Sequence, residues 1–169
     1  MNKLIINEHN LNNLEINKVN TKVRAILVKN NNILIANYGG VLMLPGGKID
    51  KFETNKEALI RELKEETGII YNDLKELFEL EYYQYQYPTR EDEVINRLIK
   101  TQFYYGDFKG IDKVSRQMTE KEKKDNFELK LIDIDKIFEI LPTQEDNPRS
   151  EFFNRELIEA IKEYKKVRR

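Results

Sequence analysis

Three glutamates, Glu62, Glu65 and Glu66, fall close together in the run Arg61-Glu62-Leu63-Lys64-Glu65-Glu66-Thr67-Gly68-Ile69. On a helix turning about 100° per residue they occupy one sector of about 100°, with Ala58 among them. Leu59 and Leu63 lie beside that sector and can face a core, while Ile60 points elsewhere. Like charges three or four residues apart on a helix repel by a few tenths of a kcal/mol even in solvent, and by more in a cleft. A divalent cation reverses the sign of that interaction. Carboxylate oxygens suit Mg²⁺ or Mn²⁺, with water and phosphate oxygens filling the remaining positions. Arg61 can grip a carboxylate in a two-pronged geometry, and Glu65 lies one turn on, with Glu53 just before the helix. Leu44-Pro45-Gly46-Gly47 brings a strand end and a glycine backbone that can approach a metal or a phosphate closely. Taken alone, the glutamates also fit an exposed acidic helix with ordinary salt bridges.

The complete spacing decides between these readings. Gly47, Glu53, Arg61, Glu62, Leu63, Glu65, Glu66, Gly68 and Ile69 fill every specified position of a pattern that resembles the Nudix box, G-x5-E-x7-R-E-U-x-E-E-x-G-U with U aliphatic. From average residue usage, a chance match in a chain of this length is on the order of one in ten million. The resemblance implies an α/β domain, a Nudix-type α/β/α sandwich with a mixed β-sheet. It also implies a hydrolase that uses Mg²⁺ or Mn²⁺ to cleave a nucleoside diphosphate linked to another group. Carried over position by position, Glu65 and Glu66 look like metal ligands, and Glu62 like a further ligand or the base that activates water. The Gly46 carbonyl completes the coordination, and Arg61 with Glu53 forms an orienting ion pair. Family members often recruit one more carboxylate from a distant loop. Glu128 is the candidate from its place before a strand, with Glu120 and Glu122 as alternatives. Lys48 is read either as a phosphate contact or as a solvated loop residue. Phe52, at a variable position of the signature, sits where many members have Gly.

Elements must position these residues. Thr21 to Lys29 and Ile33 to Asn37 flank Asn30-Asn31-Asn32 and predict a β-hairpin. Val41 to Leu44 reads as a short strand running into a Pro45-Gly46-Gly47 loop. Thr54 to Glu66 predicts the glutamate-bearing helix, with Thr54 and Glu57 forming a capping box and Gly68 at the stop. Phe78 to Tyr87 and Ile95 to Phe108 read as strands, although the first half of the second also fits a helix. Lys109 to Asn126 reads as a surface loop, Phe127 to Ile132 as a strand, and Asp135 to Leu141 as a short helix. A last helix starts near Pro148 and Ser150, its stripe of Phe153, Leu157, Ile161 and Tyr164 facing a core. Tyr83, Tyr85 and Tyr87 alternate onto one strand face, and a bulge is expected near Tyr82. Tyr85 or Tyr87 is a candidate to stack on a base, against core or homodimer packing.

Composition bounds the rest. The 169 residues fit one domain, and 29 basic against 30 acidic side chains leave a formal charge of −1. That balance argues against nucleic acid held by a bulk positive field. The partner that the resemblance implies is a small-molecule nucleoside diphosphate derivative. An RNA 5′-end pyrophosphohydrolase and a non-catalytic Nudix-fold regulatory module are the rivals, and the intact box argues against the second. Cysteine is absent and His9 is the single histidine, which excludes disulfides, thiolate sites and a multi-histidine zinc site. No apolar run approaches the ~20 residues of a membrane span, so a cytoplasmic protein is expected.

Overall fold

The computed structural model describes residues 2–124, 126–143 and 150–168. The expected hairpin joins β2 (Lys18–Lys29) to β3 (Asn32–Tyr38). Its turn uses two residues rather than three. Asn30 and Asn31 take φ of 51° and 62°, and Asn32 already pairs with Lys29. Positive φ at both central positions matches the twist of the flanking strands, and Asn tolerates that region better than most residues.

β4 (Val41–Met43) pairs with β3. Gly46–Lys48, expected as a loop, instead forms β5 against β2, with Arg24 opposite Gly46 and Lys22 opposite Lys48. The reason is steric. Gly46 has φ of 139°, and a Cβ there would collide with the Val23 carbonyl, so only glycine lets the strand approach this closely.

β6 (Lys75–Pro88) and β7 (Val94–Asp107) form a long antiparallel pair, and all of β7 is strand. β7 runs parallel to β2. Asn2–Ile6, to which no element was assigned from sequence, forms β1, parallel to β6. Its apolar signal is the three-residue run Leu4-Ile5-Ile6, which is too short to mark a strand without its partner. β8 (Glu128–Asp133) pairs with β3, which completes a mixed sheet in the order β1-β6-β7-β2-β3-β4, with β5 on β2 and β8 on β3.

The sheet lies between two helices. One face of β2 sends Val23, Ala25 and Leu27 against Ala58, Leu59 and Leu63 of α1 (Asn55–Thr67). The other sends Ile26 towards Leu157, Ala160 and Ile161 of α3 (Ser150–Val167). The α/β/α sandwich is therefore the fold. Leu157 and Ile161 of the expected stripe are core residues, whereas Pro148 lies outside the described residues. The expected helix from Asp135 to Leu141 is a 3₁₀ turn at Ile137–Ile140.

The stretch after β7 is mostly loop, but it contains α2 (Glu120–Lys124). Thr119 and Glu122 cap each other, backbone to side chain, at 2.8 and 3.2 Å. The loop is tied to the end of α1, with Asp112 N donating to the Thr67 carbonyl at 2.7 Å and Gln117 N to the Glu65 carbonyl at 2.9 Å. No helix among the described residues is long and apolar enough to cross a membrane.

Candidate active site

α1 is fixed at both ends before any site chemistry begins. Thr54 and Glu57 make the reciprocal capping box, and Gly68 closes the helix in the left-handed region at φ 78°. Each device is worth about 1 kcal/mol, and together they set the rotation of the helix. That rotation buries Glu66 with Leu63 and leaves Glu62 and Glu65 at the rim.

Arg61 organises the rim. Its Nε and Nη2 donate to the two oxygens of Glu53 at 2.7 and 3.0 Å. Its Nη1 donates to Glu62 Oε1 at 2.9 Å and lies 3.6 Å from Glu65 Oε1. Its Nη2 also donates to the Lys48 carbonyl at 3.0 Å, which ties α1 to β5. The hydrogen bonds from Arg61 hold the Glu53 carboxyl below its ordinary range. Burial pushes the Glu62 carboxyl up, against the pull of Arg61. Gly47 makes room for Glu62, since a Cβ there would lie 2.5 Å from its carboxylate.

Glu66 lies deeper. Its Oε1 accepts from Gly46 N at 3.3 Å, and its Oε2 is buried with no hydrogen-bond partner. Burial drives this carboxyl well above the usual range, with Arg24 as the main opposing charge. A buried carboxylate oxygen without a partner is costly, and a cation is the ligand that would relieve it. Among the described residues no three carboxylate or imidazole side chains stand around a single point, because Arg61 occupies the space between Glu53, Glu62 and Glu65.

The remaining candidates scatter. Glu128 begins β8 opposite Asn37, with a side chain 57% exposed and 3.7 Å from Lys130. Glu120 is 94% exposed beside Lys123. Of the three loop candidates, Glu122 is the one whose charge is felt at Glu66. Phe52 takes φ of 68° with its ring exposed, which explains why glycine suits the position, and the Arg61–Glu53 pair forms regardless.

Tyr83, Tyr85 and Tyr87 do not share a face. Gln84 pairs with Arg97 and Tyr87 with Ile95, so three steps on β6 answer two on β7, and Gln86 takes φ of 48°. This bulge lies beyond Tyr82 and moves Tyr87 to the face of Tyr82 and Gln84. Tyr85 stacks on His9 at 4.6 Å, and Tyr87 lies under the Arg97 guanidinium at 3.6 Å. Both tyrosines and Lys48 line a cavity of about 610 Å³.

Arg24 belongs to the site but is not among the residues singled out from sequence. It is 6% exposed, donates to the Leu44 carbonyl at 3.0 Å, and stands 3.3 Å from Glu156 of α3. Its signal was an arginine inside the apolar run Val23-Arg24-Ala25-Ile26, a position that requires a partner when buried.

An α/β/α sandwich that packs a glutamate-lined helix against a double-glycine strand is the frame in which the box residues stand. A family model described as NUDIX domain matches residues 19–155, and the chain belongs to that family. The chain is 35% identical over 79 residues to an 8-oxo-dGTP diphosphatase of Proteus vulgaris, covering 43% of this chain and 68% of the relative. It is 43% identical over 53 residues to an ADP-ribose pyrophosphatase of Methanocaldococcus jannaschii, covering 28% of this chain and 31% of the relative. A solved NUDIX hydrolase from Nitrosomonas europaea shares the fold at a TM-score of 0.58 and 18% identity, over 89% of this chain and 90% of that one. With this family and these relatives, the protein is a hydrolase acting on phosphoric anhydrides.

Proposed function

We propose that the protein is a Mg²⁺- or Mn²⁺-dependent pyrophosphohydrolase that cleaves a nucleoside diphosphate linked to a further group. The observation that carries this reading is Glu66, a buried carboxylate with one oxygen on the Gly46 amide and the other without a partner. All donors at hand are oxygens, which suits a hard cation. Glu62, Glu65 and Glu66 would hold it, with the Gly46 carbonyl as a backbone ligand. Glu122 supports the role of the outlying carboxylate better than Glu128, because its charge reaches Glu66. Such a cation lowers the pKa of a bound water and offsets the charge of the diphosphate.

The side chains divide the remaining work. Glu62, at the rim beside Gly47, accepts the proton of the attacking water. Oxygen then bonds to phosphorus as the anhydride P–O bond breaks, and the leaving phosphate carries away the bond's electron pair. Arg61 keeps Glu62 in place from the far side and is itself locked by both oxygens of Glu53. Lys48, whose carbonyl is on Arg61, extends its ammonium group into the neighbouring cavity, where it meets a phosphate.

The test is a substrate panel with Mg²⁺: dNTPs, ADP-ribose, nucleotide sugars, dinucleoside polyphosphates and triphosphorylated RNA, with products identified. Cleavage of at least one anhydride is expected, and none with any member overturns the reading. In parallel, Glu65→Gln and Glu66→Gln should each weaken calorimetric Mg²⁺ or Mn²⁺ binding. Unchanged affinity in both sinks the ligand assignment.

A further inference from the structure

The sheet face under α3 should be apolar, and over its lower half it is. Over its upper half β2 presents Lys18, Asn20 and Lys22. Lys48 on β5 stands opposite Lys22, and Arg97 on β7 stands opposite Lys18. All of these line the 610 Å³ cavity, which is large enough for a nucleotide-sized ligand. The walls are aromatic. Phe152 at the start of α3 packs edge-on to Tyr82 at 5.1 Å, and the Lys22 ammonium lies 4.8 Å from the Phe152 ring. The cavity is linked to the box through Lys48, whose side chain lines it, whose carbonyl accepts from Arg61 at 3.0 Å, and which directly follows the glycine that abuts Glu62.

The cations here lack counter-charges. Among the described residues no carboxylate lies within ion-pair distance of Lys22, Lys48 or Arg97. Arg97 lies over the Tyr87 ring at 3.6 Å and donates from Nε to Gln84 Oε1 at 2.6 Å, so its described partners are neutral side chains and none is a carboxylate. The neighbouring Arg24, by contrast, has Glu156. The acids that line the cavity are fewer than its four cations, since they are Glu8, which is already with Arg155 at 3.3 Å, and Glu151. Like charges directly opposite on neighbouring strands are destabilising, as are Lys22 and Lys48 here. Desolvation beneath the two phenylalanines lowers Lys22 to about 7, with Arg97, Arg24 and Lys48 pushing the same way and only Glu156 opposing. Groups kept at such a cost call for an anion that the protein does not supply.

We propose that Lys22, Lys48 and Arg97 form a subsite for phosphates beyond the scissile pair, so that the preferred substrates are nucleotides with three or more phosphates in a chain. This rests on the pyrophosphohydrolase reading for its place in the reaction. The two phosphates of a diphosphate are served by the glutamate cluster and its cation. A nucleotide sugar or ADP-ribose carries no third phosphate and would set a neutral sugar against three cations that have no carboxylate within ion-pair distance among the described residues. A third and fourth phosphate would meet Lys48, Lys22 and Arg97 in turn, each through charge-assisted hydrogen bonds.

The experiment uses base-free probes, so the identity of the nucleoside does not matter. Inorganic pyrophosphate, tripolyphosphate and tetrapolyphosphate are titrated calorimetrically into the Glu62→Gln protein with Mg²⁺ at fixed salt. Affinity should rise about tenfold from pyrophosphate to tripolyphosphate, the gain expected of one added charge-assisted contact. The rise should fall below about threefold in Lys22→Met and in Arg97→Met, with thermal melting confirming that both variants fold. Equal affinity for the three probes, or a rise that survives the double variant, overturns the proposal. Activity separates the two readings. A parent enzyme that cleaves ADP-ribose but no triphosphate keeps the pyrophosphohydrolase reading and removes this one. A parent that cleaves nothing, yet binds tripolyphosphate through Lys22 and Arg97, removes the pyrophosphohydrolase reading and the substrate preference with it, and keeps the three cations as a polyphosphate-binding site.

Discussion

Glu62 and Lys22 carry opposite burdens. Glu62 is pushed towards its protonated form by burial and held back by Arg61. Replacing it with Gln preserves shape and removes both charge and base. The expected result is a fall in kcat of at least ~10²-fold with a much smaller change in KM, measured with saturating Mg²⁺ and with chemistry rate-limiting. A kcat within a few fold of the parent would move the base elsewhere. Lys22 has a folded pKa of about 7, below its ordinary value of 10.5. Its burial penalty is therefore fully present below about pH 7 and is relieved as pH rises towards about 10.5, where the unfolded chain also loses the proton. Lys22→Met should raise stability by roughly 1–3 kcal/mol near about pH 6, a figure discounted for the side chain's partial solvent contact. The gain should shrink near about pH 9, and melting curves at the two pH values check the sign. A variant that is more stable yet binds polyphosphate more weakly is the signature of a residue kept for binding.

At the scale of elements, the turn between β5 and α1 shows how a strained residue is accommodated. Phe52 holds φ of 68° with its ring in solvent, so its side chain contributes little packing to offset the left-handed backbone. Phe52→Gly should be more stable than Phe52→Ala by about 1 kcal/mol, since alanine keeps the left-handed penalty and glycine does not. Chemical denaturation of the two variants measures the difference, and alanine equal to glycine would mean that the turn relaxes. The box helix was legible from sequence because its signals are local, with a cap, a capping partner three residues on, and a glycine stop. β5 was not, because Gly46-Gly47 carries every mark of a loop. Its pairing exists only because Val23 and Arg24 of a distant strand present a free edge. The tyrosine alternation failed for a related reason, since a bulge at Gln84–Tyr87 depends on the register with β7.

For the whole molecule, the site joins pieces held by both layers. α1 brings the glutamates, and α3 reaches the same turn through Glu156, Arg24 and the Leu44 carbonyl. A cation that binds only the folded chain should then stabilise all of it. At ~100 times its Kd, Mg²⁺ or Mn²⁺ should add about 2.7 kcal/mol, read as a rise in Tm. The rise should vanish in Glu66→Gln, and a metal-independent Tm in the parent would contradict the ligand assignment.

The sequence by itself determined the box and its helix, because residue type and spacing along one helix place side chains without help from the rest of the chain, and the class of fold followed from the resemblance that the box carries. It could not show that Arg61 stands between the rim glutamates, that Glu122 rather than Glu128 is felt at Glu66, or that Arg24 supports the turn. It also could not show that Lys22, Lys48 and Arg97 meet. Those three sit on β2, β5 and β7, separated in sequence and joined only by strand register. Whether a lysine is a solvated surface charge or a desolvated group without a counter-ion depends on what stands opposite, and only the tertiary structure decides that.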